Sequence, residues 1–227
     1  IQRGLKINYE LPVGTRSEAL DDEALGLMYE SGCRHIGYAP ESWSDETLKL
    51  IKKKIKKEKM SESINSALKK KLIVKVAFVI GFPHESIRHL WKNVPALARL
   101  AFLGVHGVAI IPFTPYPGSE LFESLKGKEK LMINDNYFHN LLRYCGLSAP
   151  LSYSDRISNK ELAVFSFGFL ALFYSLSFLF RPNRFASMLL SLINNKPTNR
   201  FEKALGKLKM KRLLFRKTLS SSLHVNT

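Results

Sequence analysis

Cysteine is scarce in this chain: its 227 residues hold only Cys33 and Cys145, far apart in sequence. Two such residues make neither a disulfide framework nor the paired spacing of a zinc site, and a reducing, cytoplasmic setting is the expectation. A basic-then-apolar leader is missing near Ile1, so nothing there reads as a secretory signal. Met is missing at the first position too, and a chain opening in mid-strand reads as a fragment. Acids are nearly missing from the end. Between Arg181 and Lys217 stand eleven Lys and Arg against one acid, Glu202, so that stretch carries +10 of the net +16. The basic character belongs to the tail and implies a partner of negative charge there. Charge of either sign is missing over the nineteen residues from Leu162 to Phe180. Apolar residues are plentiful: a hydrophobic content of 45% excludes a disordered chain and allows a sizeable core.

Up to about residue 120, strand-like and helix-like segments alternate. Lys6–Leu11, His35–Ala39, Leu72–Ile80 and Val105–Ile111 read as strands, the third apolar enough to be covered on both faces. Asp21–Ser31 reads as a helix with Leu20, Ala24, Leu27 and Met28 on one face, acids in its first turn and Gly32 as its stop. Ser44 is placed to cap a second helix, with Thr47 completing a weak capping box. Ser61–Lys71 is a third helix, and Ser86–Leu103 a fourth that Pro95 should kink or break. Strands of this kind separated by helices predict a parallel sheet with right-handed crossovers. Four units are too few to close an eight-fold barrel, so the expected fold is α/β, an open or partial barrel. It occupies residues 1–125, with a helical extension over 126–227 and a break in character near residue 150.

Ligands of parallel α/β folds sit at the C-terminal ends of the strands. Four distinctive loops fall there: Thr15-Arg16, Pro40-Glu41-Ser42, Gly81-Phe82-Pro83-His84-Glu85, and Pro112 through Gly118. Any one of them is an ordinary turn composition. Together, in order, they resemble the second half of a radical S-adenosylmethionine (SAM) enzyme core. The resemblance rests on Asp22-Glu23-Ala24-Leu25 through Met28 to Gly32-Cys33, on Glu41-Ser42, and on Thr47-Leu48 to Lys53. It continues in Gly81, Pro83 and Glu85 and in Thr114-Pro-Tyr-Pro-Gly-Ser-Glu-Leu121, and covers roughly residues 5 to 125. The strand end Tyr38-Ala39-Pro40-Glu41 and the hydrophobic tail look most like those members with an upstream cobalamin-binding domain.

That resemblance implies SAM as a cofactor, a [4Fe–4S] cluster, cobalamin in an upstream domain, and a reductant protein as partner. The family's Cys-x-x-x-Cys-x-x-Cys loop and its glycine-rich turn are absent from the chain, so the cluster's ligands are not here and no metal site is expected. Residue by residue, it implies that Glu41 or Ser42 bonds the ribose hydroxyls or the methionine end, with a helix N-cap as the plainer role. Ile80 and Gly81 would pack against adenine, Ile111 and Pro112 would flank it through backbone groups, and Arg16 would meet either the SAM carboxylate or a structural acid. Glu85 is placed to cap the helix that follows it. Cys33 reads as core, and His84, Tyr116 and Cys145 carry no assigned catalytic part. The lysine runs Lys52–Lys54, Lys56-Lys57 and Lys69–Lys71 read as solvated helix faces. The implied full-length enzyme modifies an apolar small molecule such as a lipid or tetrapyrrole; the alternative is a non-catalytic membrane-bound scaffold with a degenerate fold.

At ~1.5 Å per residue the uncharged run approaches the ~30 Å thickness of a hydrocarbon core. Gly168 and several serines make it a mediocre span, and its many phenylalanines give it an interfacial flavour. With cations following directly, an anionic membrane surface is the expected partner, at the inner face of the membrane and by partial insertion. No groove-reading motif accompanies the cations, so nucleic acid is not expected.

Overall fold

The computed structural model describes residues 4–12, 20–127, 131–143 and 150–194. Two compact units divide the chain, Ile1–Ser177 and Phe178–Thr227. The first is built on a sheet of four strands, β1 (Tyr9–Leu11), β2 (Cys33–Glu41), β3 (Ile73–Ile80) and β4 (Gly107–Pro112), in the spatial order β1-β2-β3-β4. All three pairings are parallel, with Val76 of β3 opposite Tyr38 of β2 and Val108 of β4. The fold is therefore α/β with a helical extension, as the alternation predicts.

Period-two burial decides which way the sheet faces. Val74, Val76, Phe78 and Ile80 are buried under the helices, whereas Lys75 is exposed and Ile73, Ala77 and Val79 are partly so. The expectation of a strand covered on both faces is thus corrected: an apolar run longer than its buried face needs hid the alternation. On the buried side Met60, Ile64, Ala67 and Leu72 lose all exposure. Met60, Ile64 and Leu72 each contribute roughly 1.5–3 kcal/mol. The Tyr38 hydroxyl reaches this layer too, paired with Ser63 Oγ at 2.9 Å.

Helix α1 (Asp22–Glu30) is started by Asp21, whose carboxylate accepts from Ala24 N at 2.8 Å. Its inward residue is Leu25, fully buried, while Leu27 is half exposed, so the expected inner face was rotated by part of a turn. Gly32 ends it at φ +104°, where a Cβ would lie 2.0 Å from the Ile7 carbonyl oxygen. Only glycine fits there. Ser44 caps α2 (Asp45–Leu50) through Thr47 N, as read from sequence, but Thr47 Oγ1 turns away to Glu85 instead of closing a box. Helix α3 (Lys57–Lys69) completes that crossover. The next crossover is split, as Pro95 requires, into α4 (Ile87–Trp91) and α5 (Val94–Leu103).

Beyond β4 come α6 (Glu120–Gly127), α7 (Asp135–Arg143) and α8 (Asn159–Phe180). Helix α8 starts on a capping box: Ser158 Oγ accepts from Glu161 N, and the Glu161 carboxylate accepts from Ser158 N. Among the described residues it is the one helix long and apolar enough to cross a membrane. The second unit holds α9 (Pro182–Ile193), with Pro182 in its first turn and Phe185 set edge-on to Phe178 at 5.6 Å. The basic stretch of the expected helical extension, from residue 195 on, lies outside the described residues.

Candidate functional site

Parallel pairing brings the C-terminal ends of β2, β3 and β4 side by side, and with them the loops that the sequence singles out. Ile80 and Pro112 are direct register partners, and Phe113 N donates to the Ile80 carbonyl at 2.7 Å. Glu41 pairs with Phe78 across an irregularity in the β2–β3 register. Six of the seven candidate residues thus line one edge of the sheet; the seventh, Arg16, lies outside the described residues.

Their surroundings differ. Glu41 has φ +66°, a conformation that costs a non-glycine residue about 1–3 kcal/mol. Its carboxylate is about a quarter exposed and meets Lys53 Nζ at 3.3 Å. Ser42 is fully buried, its hydroxyl donating to Asn93 Oδ1 at 3.4 Å and accepting from Ser44 N at 3.2 Å. Ile80 is fully buried among the helices, while Val79 and its register partner Ile111 are partly exposed on the opposite face. Gly81 has φ +84°, and a Cβ there would lie 2.9 Å from Leu162 Cδ1 of α8. Glycine at this position lets the loop turn tightly and lets α8 close on it.

Glu85 organises the loop. It is 1% exposed, and one carboxylate oxygen accepts from Gly81 N at 2.7 Å and from Phe82 N at 3.2 Å. The other accepts from Thr47 Oγ1 at 3.1 Å, tying α2 to the β3 loop. This corrects the capping role expected for it. The helix behind it is started by Ser86 and His89, whose side chains exchange bonds with each other's backbone. Burial pushes the Glu85 carboxyl up to about 7, against the lowering pull of the Gly81 and Phe82 amides and the Thr47 hydroxyl.

Asn93 is the residue that sequence reasoning passed over. Fully buried where α4 and α5 part, its Oδ1 accepts from Trp43 N at 2.7 Å, fifty positions away, and so fixes the turn after β2. An asparagine two residues before a proline inside a helical run is the signal available, and it suggests a cap. No side-chain cap forms.

Above the ends of β3 and β4 sits an aromatic cluster of Phe82, Phe113, Phe122, Tyr137 and Tyr153, with Val79 against it. Phe82 and Phe113 rings lie 4.9 Å apart, and Tyr153 meets Phe113 edge-on at 6.2 Å. Tyr137 Oη donates to the Pro115 carbonyl at 2.8 Å, holding the proline loop. Burial raises both phenols above their ordinary value, Tyr137 further through Tyr116 and Tyr153 further through Tyr137. The segment carrying Tyr153 is latched to the Glu85 loop: Ser154 Oγ donates to the Glu85 carbonyl at 2.8 Å and Asp155 N to the Pro83 carbonyl at 3.2 Å.

For a SAM molecule this edge offers one partly exposed carboxylate, Glu41, and the partly exposed Ile111, while Gly81 and Pro112 are buried behind them. The Ile80 carbonyl and the Gly81 amide are already bonded within the protein. An iron–sulfur cluster does not fit the described residues. Cys33 opens β2, at the opposite edge of the sheet, fully buried and donating to the His35 carbonyl at 3.5 Å, and burial raises its thiol. Cys145 lies outside the described residues, among which no three His, Cys, Asp or Glu side chains group as a metal site.

No known family model matches the sequence. Over 122 residues, 54% of this chain, it is 27% identical to an uncharacterized methyltransferase of Pyrococcus horikoshii. The matched stretch is 26% of that protein, so the chain spans about a quarter of the length of the curated relative it resembles.

Proposed function

We propose that this chain is part of a SAM-using methyltransferase of the radical SAM type, supplying the second half of the barrel. Its cluster ligands and a cobalamin-binding domain would come from the remainder of a longer protein. The carrying observation is that the loops at Glu41-Ser42, Gly81–Glu85 and Pro112–Gly118 meet at one sheet edge. The methyltransferase likeness over 122 residues adds to it. In this reading Glu41 holds the ribose hydroxyls, and Gly81, Ile111 and Pro112 border the adenine, with Ile80 supporting that wall from the core. Ser42, bonded internally, sets the turn that presents Glu41. Glu85 and Thr47 hold the two loops at a fixed separation. SAM supplies the transferable methyl group or, once cleaved, the radical. The substrate is an apolar small molecule, the electrons come from a reductant protein, and the setting is the cytoplasmic face of an anionic membrane.

The test is SAM binding by the longer protein, measured by equilibrium dialysis on the wild type and Glu41→Gln. Losing one charge-assisted hydrogen bond should weaken SAM by about 10-fold to 100-fold. The unfolding midpoint should stay close to wild type. Equal affinities would remove Glu41 from the site, and no SAM binding by the wild type would favour a scaffold.

A further inference from the structure

A surface helix ordinarily turns a polar face to water. Helix α8 does not. Its inward stripe is buried at Leu162, Ser166, Phe169 and Phe173. Its outward side is also apolar: Val164 is 70% and Phe167 47% exposed, and no charge occurs from Leu162 to Phe180. Beside it Trp91 of α4, 58% exposed, packs edge-on to Phe165 at 5.5 Å. In the second unit, α9 separately exposes Phe185, Leu190 and Ile193. In sequence the eleven cations of 181–217 follow, with one acid among them.

Length alone would let α8 cross a bilayer, since 22 residues rise about 33 Å. Its packing forbids this. Leu162 lies against Gly81 and the Tyr174 hydroxyl near Gly107, so the inward stripe is fastened towards both ends to the sheet and its loop. We propose that α8 lies in the plane of an anionic membrane, its Val164–Phe167 side and Trp91 in the interfacial layer, and does not cross it. An apolar strip with an aromatic at its margin suits that layer, and the positive tail suits its charge. The proposal rests on the membrane setting put forward above and adds the face and the depth; it does not depend on SAM chemistry.

The experiment uses the full chain and vesicles of phosphatidylglycerol and phosphatidylcholine. Trp43→Phe leaves Trp91 as the single tryptophan. On anionic vesicles its emission should shift to the blue and be quenched more by lipids brominated near the headgroup than deep in the tails. The pair Val164→Asp with Phe167→Asp, at exposed positions, should keep the wild-type circular dichroism and unfolding midpoint. It should lower vesicle co-sedimentation at least 10-fold, at high salt as well as low. If the double variant sediments like the wild type, the basic tail alone binds lipid and the α8 face is overturned while the membrane setting stands. If the wild type itself stays in the supernatant, both fail; a dimer in sedimentation velocity, dispersed by the same pair, would then assign the face to a second copy. Stronger quenching from the bilayer centre would overturn the in-plane placement.

Discussion

Glu85 shows what burial does to a single carboxyl. In the unfolded chain it ionises near the ordinary 4.5, and in the fold near 7, because the cost of burying charge exceeds what three donors return. The native state therefore holds a proton that the unfolded state has lost. Stability from this group is complete below pH 4.5 and disappears as pH rises through about 7, a change on the order of 3 kcal/mol. Glu85→Gln tests this without emptying the site. Its carbonyl oxygen can accept from the Gly81 and Phe82 amides while its NH2 donates to Thr47 Oγ1. The variant should gain on the wild type in urea unfolding as pH goes from 5 to 8. A difference that stays constant over that range would mean the carboxylate is ionised throughout. Sequence alone named Glu85 as a carboxylate seeking free amides. It could not name which ones, because the turn at Gly81, φ +84°, is what points the Gly81 and Phe82 N–H groups inward.

Helices and strands were legible to the extent that periodicity and end signals agree. The Ser44 cap, the Gly32 stop and the break at Pro95 were all readable, since each follows from local backbone chemistry. Strand β2 runs on through Pro40 and Glu41, past its expected end at Ala39, because a register irregularity absorbs the proline. Helix α6 went unread after the proline loop, and α8 was legible as apolar but not as packed. The contact between α8 and the β3 loop is where two elements far apart in sequence depend on each other. Gly81→Ala should cost about 2–3 kcal/mol, from positive φ and from pressing on Leu162. Leu162→Ala should cost about 2–5 kcal/mol for a fully buried leucine. The double variant should cost at least about 0.5–1 kcal/mol less than their sum, since the shorter side chain clears the clash. Additive costs in urea unfolding would mean that loop and helix do not bear on each other.

At the scale of the molecule, topology was readable and the site only in outline. Alternation along the chain gave a parallel sheet with its marked loops on one edge. What each loop residue touches was not readable: Ser42 and Ile80 spend their polar or apolar surface inside the protein, while Glu41 retains exposure. Asn93 joins segments fifty positions apart, a distance at which local pattern carries no information. The chain taken alone should bind no [4Fe–4S] cluster when reconstituted anaerobically with iron and sulfide. Cys33 is buried, with its thiol raised, at the edge away from the loops. About four irons per chain, with the visible absorption of a cluster and loss of both on Cys33→Ser, would refute that placement.

Neighbours in the sheet are also neighbours in the chain, β1 beside β2, β2 beside β3, β3 beside β4. On a ribosome, β2, β3 and β4 would therefore each emerge with one neighbour already made, and each would wait only for the strand that comes next in the chain. From Ile80 to Pro112, at ~5–20 residues per second, the free edge of β3 stands open for roughly 2–6 s before β4 reaches it. Synthesis order and spatial order coincide, so pausing translation between these strands should lengthen the exposure of one known edge without offering the chain a competing neighbour.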